Sequence, residues 1–462
     1  MVFSSITFIY FFLSILLLVY FLAPKKYKNI VLLLFSLLFY FYGEADYLWL
    51  LILSCLINYT FAILIDKTNK INLKKILLTL CVISNVSLFI YFKYTDFLIT
   101  NINSIFSTNF SLLHIALPLG ISFFTFQALS YVIDVYKRKV NVEKNILSFA
   151  TYICLFPQLV AGPIVRYETI HNELNNRETS FDKFSYGIKR FIIGLSKKVL
   201  IANTLGVLST TLFDVINPSI TTYWLNAVAF TLQIYFDFSG YSDMAIGLGS
   251  MFGFKFLENF NYPFISSSIT DFWRRWHISL SSWLKDYIYI PLGGSRVSKP
   301  KYIRNILIVW LITGLWHGAS WNFCIWGLFF AVILLIEKIF LKKYLDKHKV
   351  ISHIYTLFII LISFIIFNSN NILEIFTYLK SMFGFNNLPL ITNETLYFFR
   401  SYIVILLISI ISSTPLIKNI YNKYKDNKII KILEPFILII ILLVVTAFLI
   451  DSSFNPFLYF RF

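Results

Sequence analysis

Residues 303–339 read IRNILIVWLITGLWHGASWNFCIWGLFFAVILLIEKI, a nearly unbroken apolar run with one histidine, His317, near its middle. Similar runs recur along the chain, and about 20 apolar residues are enough for a helix to cross a bilayer. An ionisable side chain at membrane depth is costly, so it normally lines a cavity or a pathway and marks a functional site. The run therefore predicts a membrane region in which His317 is the first candidate for chemistry.

The composition favours a polytopic membrane protein. Hydrophobic residues make up 58% of the 462 residues and charged residues 14%, against about 25% charged residues in soluble globular proteins. We predict an all-α integral membrane protein with roughly ten to twelve spanning or re-entrant helices. One integral domain is expected over residues 1–462, with N-terminal helices in 1–145, a catalytic core in 146–340, C-terminal helices in 341–450 and an aromatic tail in 451–462.

The net charge of +17 is concentrated in short basic loops between the apolar runs. This is the pattern of cytoplasmic loops in membrane proteins, and anionic lipid headgroups explain it better than a nucleic acid. The loops are residues 25–28, 67–75, 136–139, 342–349 and 418–431. Two further basic pairs, at 189–190 and 197–198, share one helical face. We expect that helix either to lie in the membrane interface or to be solvated on the cytoplasmic side.

Other common chemical motifs do not occur. The four cysteines are scattered singly with no CxxC spacing, so neither a zinc site nor a disulfide framework is expected, and we predict no metal. The chain has no dinucleotide-binding, P-loop or GxSxG pattern in a suitable context. If the protein is an enzyme, its chemistry takes place within the membrane body.

Near His317, Gly314 and Gly318 allow another backbone or a ligand to approach closely, and Trp316 precedes the histidine directly. A neutral imidazole in such a place can take a proton from a hydroxyl. The alternative is a core histidine that is hydrogen-bonded to a carbonyl of the next helix.

A second histidine, His277, follows Arg274 and Arg275 in a tryptophan-rich segment. Two arginines are costly there unless they meet an anion, and a CoA or nucleotide phosphate would suit their planar donors. The alternative for them is pairing with Asp271 and Asp286, or extension to the interface.

Two carboxylates and an unusual tail complete the candidates. Asp237 and Asp243 lie within an apolar helix and need partners, for which Arg274, Arg275 or His277 are plausible. They are candidates for orienting an arginine or a histidine, or for catalysis. Five of the residues 454–462 are Phe or Tyr, so the tail is either an interfacial anchor or a segment that folds back into a cavity and offers the Tyr459 hydroxyl.

Together these stretches resemble the membrane-bound O-acyltransferase superfamily, most closely its bacterial alginate and peptidoglycan O-acetyltransferase membrane-subunit branch. The matching stretches include residues 117–123 (LPLGISF), 161–163 (AGP), 235–247, 272–280 and 314–318 (GLWHG), in the same order along most of the chain.

The resemblance implies a helical fold with a funnel on each face, meeting at His317. It implies that His317 is the general base and that His277 positions or polarises the reacting group. Acetyl-CoA from the cytoplasm would be the co-substrate, with no permanently bound cofactor, and Tyr459 would be the acyl carrier. A separate extracytoplasmic SGNH-type O-acetyltransferase would pass the acetyl group to a cell-envelope polysaccharide. The expected location is the bacterial cytoplasmic membrane, as a multi-pass protein in contact with lipids.

Three other functions share parts of this pattern. Within the family, the alternative is D-alanyl transfer to teichoic acid from a carrier-protein thioester. A transporter or channel would use the histidines as a proton relay, but the sequence has no inverted repeat to support it. A structural scaffold with a degenerate site would not need both His277 and His317.

Overall fold

The computed structural model describes residues 1–451, 457 and 458, and every regular element in that part of the chain is helical. The chain forms two compact units, Met1–Phe191 with Tyr241–Leu257, and Ile192–Gly240 with Glu258–Phe462. The predicted segment boundaries at residues 145, 340 and 450 stay predictions.

The helices follow one another with short connections. Those that begin in the first unit are α1 (Leu13–Leu22), α2 (Lys28–Gly43), α3 (Leu48–Lys67), α4 (Ile71–Phe106), α5 (Ile121–Tyr136), α6 (Ile146–Cys154), α7 (Phe156–Leu159), α8 (Tyr167–Asn176) and α9 (Phe181–Ser196). Those that begin in the second are α10 (Asn203–Phe213), α11 (Ile220–Met251), α12 (Ile269–Arg275), α13 (Ile278–Leu284), α14 (Lys299–His317), α15 (Trp321–Ile336), α16 (Lys342–Lys347), α17 (Lys349–Asn368), α18 (Ile372–Met382), α19 (Asn393–Ser412), α20 (Leu416–Tyr424) and α21 (Lys428–Asp451). Short π-helical turns occupy Thr7–Phe12, Lys197–Ala202, Lys285–Tyr289 and Glu337–Leu341.

Among the described residues, seven helices are long and apolar enough to cross a bilayer, which confirms the predicted class of a multi-pass all-α membrane protein. They are Ala45–Lys67, Ile71–Phe106, Phe181–Phe213, Trp321–Lys347, Lys349–Asn368, Asn393–Ser412 and Lys428–Asp451. Two shorter apolar helices, Thr7–Leu22 and Ile121–Tyr136, add to them.

The helix that carries the two basic pairs differs from the prediction of an interfacial or solvated helix. It forms part of the candidate span Phe181–Phe213. Within it, Lys198 is only 4% exposed and Arg190 forms an ion pair with Asp243 at 2.6 Å. An apolar stretch separates the pairs and continues beyond them. One face of the helix is therefore buried, and the cations on that face pair with carboxylates.

In the second unit, glycines bring α14 and α15 into close contact. A Cβ added at Gly314 would collide with the carbonyl oxygen of Phe323, and one at Gly327 would collide with the carbonyl oxygen of Trp310. Small residues at such positions let two membrane helices approach closely. The resulting α14–α15 hairpin holds His317 at its turn, and it confirms that the glycine one turn before the histidine admits another backbone.

Candidate active site

His317 is the last residue of α14 and lies in an aromatic enclosure. The side chain is 5% exposed, and the rings of Trp326 and Phe367 meet it edge-on, with centroids 4.9 and 5.3 Å away. Gly318 follows in an extended conformation and packs against the ring of Phe323. The enclosure keeps the imidazole in a region of low polarity, where its electrostatic interactions are stronger than in water.

His277 lies between α12 and α13 in a strained backbone conformation. Its φ of 45° and ψ of 53° fall in the left-handed region, which is uncommon for a residue other than glycine. Two backbone hydrogen bonds hold the segment: the Ile278 N–H donates to the Asn259 carbonyl at 3.0 Å, and the Asn261 N–H donates to the Arg275 carbonyl at 2.9 Å. Strain of this kind persists only where surrounding contacts enforce it, and it is concentrated at functional sites.

The side chain of Asn259 determines which nitrogen of the His277 ring carries the proton. The backbone N–H of Ser279 donates to Oδ1 of Asn259 at 3.1 Å. Since a backbone N–H can only donate, the oxygen of the Asn259 amide, and not its NH₂ group, is on the side of Ser279. The same oxygen is 3.2 Å from Nδ1 of His277, so Nδ1 carries the proton and donates. Burial lowers the pKa of His277 to about 3, so the ring is neutral and Nε2 is left as a proton acceptor.

Trp316 lies close to both histidines. Its ring centroid is 5.8 Å from that of His277 and 5.0 Å from that of His317. Nε2 of His277 is buried and has no hydrogen-bond partner among the described residues. The structure therefore brings two buried imidazoles close to one indole, and an acceptor nitrogen buried in this way is suited to the hydroxyl of a substrate.

Asn259→Ala is predicted to lower catalytic activity by about 10- to 100-fold, because a buried group left unsatisfied loses about 1–3 kcal/mol and Nδ1 of His277 would lose its partner. Acyl transfer by the purified variant tests this. Asn259→Asp keeps an oxygen acceptor and should restore most of the loss. Ser279→Ala is the matched control, since it removes another donor to the same oxygen and leaves the histidine contact in place. Equal losses in Ser279→Ala and Asn259→Ala would contradict the prediction.

Glu337 anchors the helix that leads to His277. Its carboxylate is buried and accepts the N–H groups of Ile269 at 2.6 Å and Thr270 at 3.1 Å, together with the Thr270 hydroxyl at 3.0 Å. An acidic group is favourable at the N-terminus of a helix, where N–H groups lack partners. Through this contact the turn after α15 fixes the start of α12, and so the approach of the chain to His277.

The two arginines before His277 have different surroundings. Arg275 pairs with Asp271, its Nε lying 3.1 Å from both carboxylate oxygens, which is the structural alternative considered from the sequence. Arg274 is exposed. The geometry therefore leaves Arg274 accessible to an anion, while Arg275 already has one.

The intramembrane carboxylates pair with residues that the sequence analysis did not name as their partners. Asp237 forms an ion pair with Lys198, and Asp243 forms one with Arg190. The expected partners were Arg274, Arg275 or His277. The cations instead come from the basic pairs of the span Phe181–Phe213. They reach the carboxylates because Gly240 and Gly247 of α11 lie against the backbone of that helix at Gly194 and Gly187.

Two further predictions concern the acyl carrier and metal binding. Tyr459 lies outside the described residues, so its role as acyl carrier stays a prediction. Within the described part of the chain, no group of three or more His, Cys, Asp or Glu side chains has the geometry of a metal site.

The sequence analysis assigned no role to Asn259 or Glu337, and it did not identify Lys198 as the partner of Asp237. The signal for Lys198 was available, since a lysine followed by Val199 and further apolar residues needs a carboxylate partner. Nothing local distinguishes Asn259 from any other loop asparagine, because its role depends on a segment 18 residues further along the chain.

Known proteins share much of this sequence. The sequence model of the membrane-bound O-acyltransferase family matches residues 142–377. The chain is 42% identical over 395 residues to the probable alginate O-acetylase AlgI of Pseudomonas syringae pv. tomato, covering 84% of this chain and 76% of that one. It is 38% identical over 427 residues to the peptidoglycan O-acetyltransferase of Helicobacter pylori, covering 84% and 81%.

A more distant relative is the teichoic acid D-alanyltransferase of Bacillus subtilis, 31% identical over 247 residues, which cover 50% of this chain and 61% of that one. The family match contains both histidines, Asn259 and the α14–α15 hairpin. With relatives of this identity aligned over most of their length, the chain belongs to the membrane-bound O-acyltransferase family and is an O-acyltransferase.

Proposed function

We propose that the protein takes an acetyl group from acetyl-CoA on the cytoplasmic side and passes it across the membrane for O-acetylation of a cell-envelope polysaccharide. The observation that carries the proposal is the pair of buried histidines, His277 and His317, whose rings both lie close to that of Trp316. The two well-covered relatives named above are called alginate and peptidoglycan O-acetylating proteins, which favours acetyl as the group transferred.

In the proposed reaction His317 is the general base. Its neutral imidazole takes the proton of an acceptor hydroxyl as the oxygen attacks the thioester carbonyl. A new C–O ester bond forms, the C–S bond breaks, and the CoA thiolate receives the proton from the imidazolium. His277, whose Nε2 is an acceptor, orients the hydroxyl, and the Asn259 side chain holds that ring.

The charge pattern supports the proposed orientation of the α14–α15 hairpin. α14 begins at Lys299 near Arg304, and α15 continues into a basic segment that ends at Lys347. By the positive-inside rule both ends are cytoplasmic. His317 lies 13 residues beyond Arg304, roughly 20 Å along the helix axis. A thioester from the cytoplasm and a hydroxyl from outside would therefore meet within the membrane.

Other parts of the proposal follow from the same assignment. Arg274, exposed near His277, would contact a phosphate of acetyl-CoA. Tyr459 would carry the acetyl group outward. A separate extracytoplasmic SGNH-type transferase would move it to the polysaccharide, with the protein in the bacterial cytoplasmic membrane.

The test is transfer of radiolabelled acetyl from acetyl-CoA to the purified full-length protein in detergent, followed by peptide mapping. Label on Tyr459 is expected, and Tyr459→Phe, which removes only the hydroxyl, should lose it. Because this variant keeps the aromatic ring, a loss of label would report the missing hydroxyl and not a change in side-chain shape.

The other results would redirect the proposal. Binding of acetyl-CoA without labelled protein would place the acceptor hydroxyl on a partner and overturn the role of Tyr459. Labelling only from a D-alanyl carrier-protein thioester would replace acetyl transfer by the D-alanyl alternative.

A further inference from the structure

A buried ion pair in the second unit joins two distant helical segments. Lys198, on the π-helical turn Lys197–Ala202, pairs with Asp237 of α11, and the two side chains are 5% and 2% exposed. Removing two charges from water is costly, and the attraction between them balances that cost only when further hydrogen bonds satisfy the remaining atoms. The Asp237 carboxylate therefore needs further hydrogen bonds besides its contact with Lys198.

The described residues Phe457 and Leu458, called the C-terminal segment below, supply one of those bonds. The backbone N–H of Leu458 donates to Oδ2 of Asp237 at 2.7 Å, across 221 residues of sequence. Both Leu458 and its neighbour Phe457 are buried, at 8% and 3% exposure. The contact is charge-assisted, so it is stronger than a hydrogen bond between neutral groups.

An aromatic chain leads from this contact to the histidine site. The ring of Phe457 lies 5.8 Å from that of Phe238, and Phe238 meets His277 edge-on at 4.7 Å. Phe238 directly follows Asp237 on α11. Two consecutive residues of α11 therefore have different contacts. Asp237 accepts the backbone N–H of the C-terminal segment, and Phe238 packs against the ring of His277.

We propose that Asp237 and Lys198 are positioning residues that dock the C-terminal segment, through the Leu458 N–H and the Phe457 ring, beside His277. The Lys198–Asp237 pair is then a binding site for the chain's own C-terminal segment, and the Lys198 ammonium group holds the Asp237 carboxylate where it accepts the peptide N–H. The contact itself does not depend on which reaction the protein catalyses. Its role in acyl transfer rests on the proposed function.

The test measures how fast a thiol introduced at position 458, where the C-terminal segment contacts α11, reacts. This contact is called the dock below. Leu458→Cys in the full-length protein is treated with a maleimide, and peptide mapping separates its labelling from that of the four native cysteines, all of which are buried. The labelling rate follows the population in which the segment is undocked. Protein without Leu458→Cys gives the background.

Two changes are combined with Leu458→Cys. The first is Lys198→Met with Asp237→Leu, which replaces both charges and leaves neither one buried alone. The second is Phe457→Ala, which leaves the ion pair intact. We expect labelling at position 458 to rise about tenfold or more in each, the scale of a lost charge-assisted hydrogen bond or a lost aromatic contact. Asp134→Asn, at a buried carboxylate near Lys139 in the first unit, should leave the rate unchanged.

Faster labelling at position 458 in the Lys198→Met, Asp237→Leu variant, with the native cysteines still protected, supports the proposal, and a rise in Phe457→Ala supports the contribution of the ring. An unchanged rate in the charge variant, or a rise only together with the native cysteines, overturns the proposal whatever Phe457→Ala shows. Acetyl transfer is followed in parallel. If the parent protein transfers no acetyl group, the proposed function is overturned. The labelling rates would still show whether the C-terminal segment is held by Asp237 and Lys198. Transfer that is normal when the segment is undocked would overturn its positioning role.

Discussion

His317→Ala is expected to lower acyl transfer by about 10²–10⁴-fold, the usual contribution of a general base. The substitution removes the imidazole from an enclosure formed by Trp316, Trp326 and Phe367. The measurement is the rate of transfer from acetyl-CoA, at saturating donor, by purified variant and parent protein.

A matched histidine controls for general effects of the change. His353 is a partly buried histidine of α17 whose Nδ1 lies 3.1 Å from the Ser266 carbonyl oxygen, away from Trp316. His353→Ala should keep activity within a few-fold of the parent. A His317→Ala enzyme that is equally active would show that another group is the base, and His277→Ala would then be the next variant to compare.

Gly314→Val is expected to prevent recovery of folded protein. The added Cβ would meet the carbonyl oxygen of Phe323 and come close to Cα of Gly327. Both are backbone atoms, which cannot move aside without separating α14 from α15. A clash of this kind belongs to the exceptional class of substitutions that cost more than about 4 kcal/mol. The measurement is the yield of monodisperse protein in detergent and its thermal unfolding temperature.

The same helix provides the control for this prediction. Leu311 lies three residues earlier on α14 and is exposed. Leu311→Val introduces the same valine outside the contact with α15, so we expect normal yield and an unfolding temperature close to that of the parent. A Gly314→Val protein as stable as Leu311→Val would mean that the two helices do not need their close approach.

The class of the protein was predictable from local properties of the chain. Apolar runs of spanning length and basic loops indicate a multi-pass helical protein, because the bilayer requires every backbone group to be bonded within its own segment. His317 stood out for a similar reason, since a titratable group in an apolar run is costly wherever the run is placed. Gly314 also had a visible signal, because a glycine inside a helix costs stability unless close packing uses it.

The partners within the site could not be predicted in this way. The sequence analysis assigned Asp237 and Asp243 to arginines or a histidine near residue 275, whereas they pair with Lys198 and Arg190. Likewise, nothing near His277 in sequence indicated that Asn259 would hold its Nδ1 proton. Each of these contacts depends on which faces of separate helices meet.

Sequence alone thus determined that this chain is an all-helical membrane protein with a candidate functional histidine at 317, since hydropathy and the cost of a buried charge belong to each segment by itself. Only the tertiary structure decided which nitrogen of His277 accepts a proton, which cation neutralises Asp237, and that Leu458 returns to α11 across 221 residues. Hydrogen bonds and ion pairs act over a few ångströms, so they are specified by packing and not by distance along the chain.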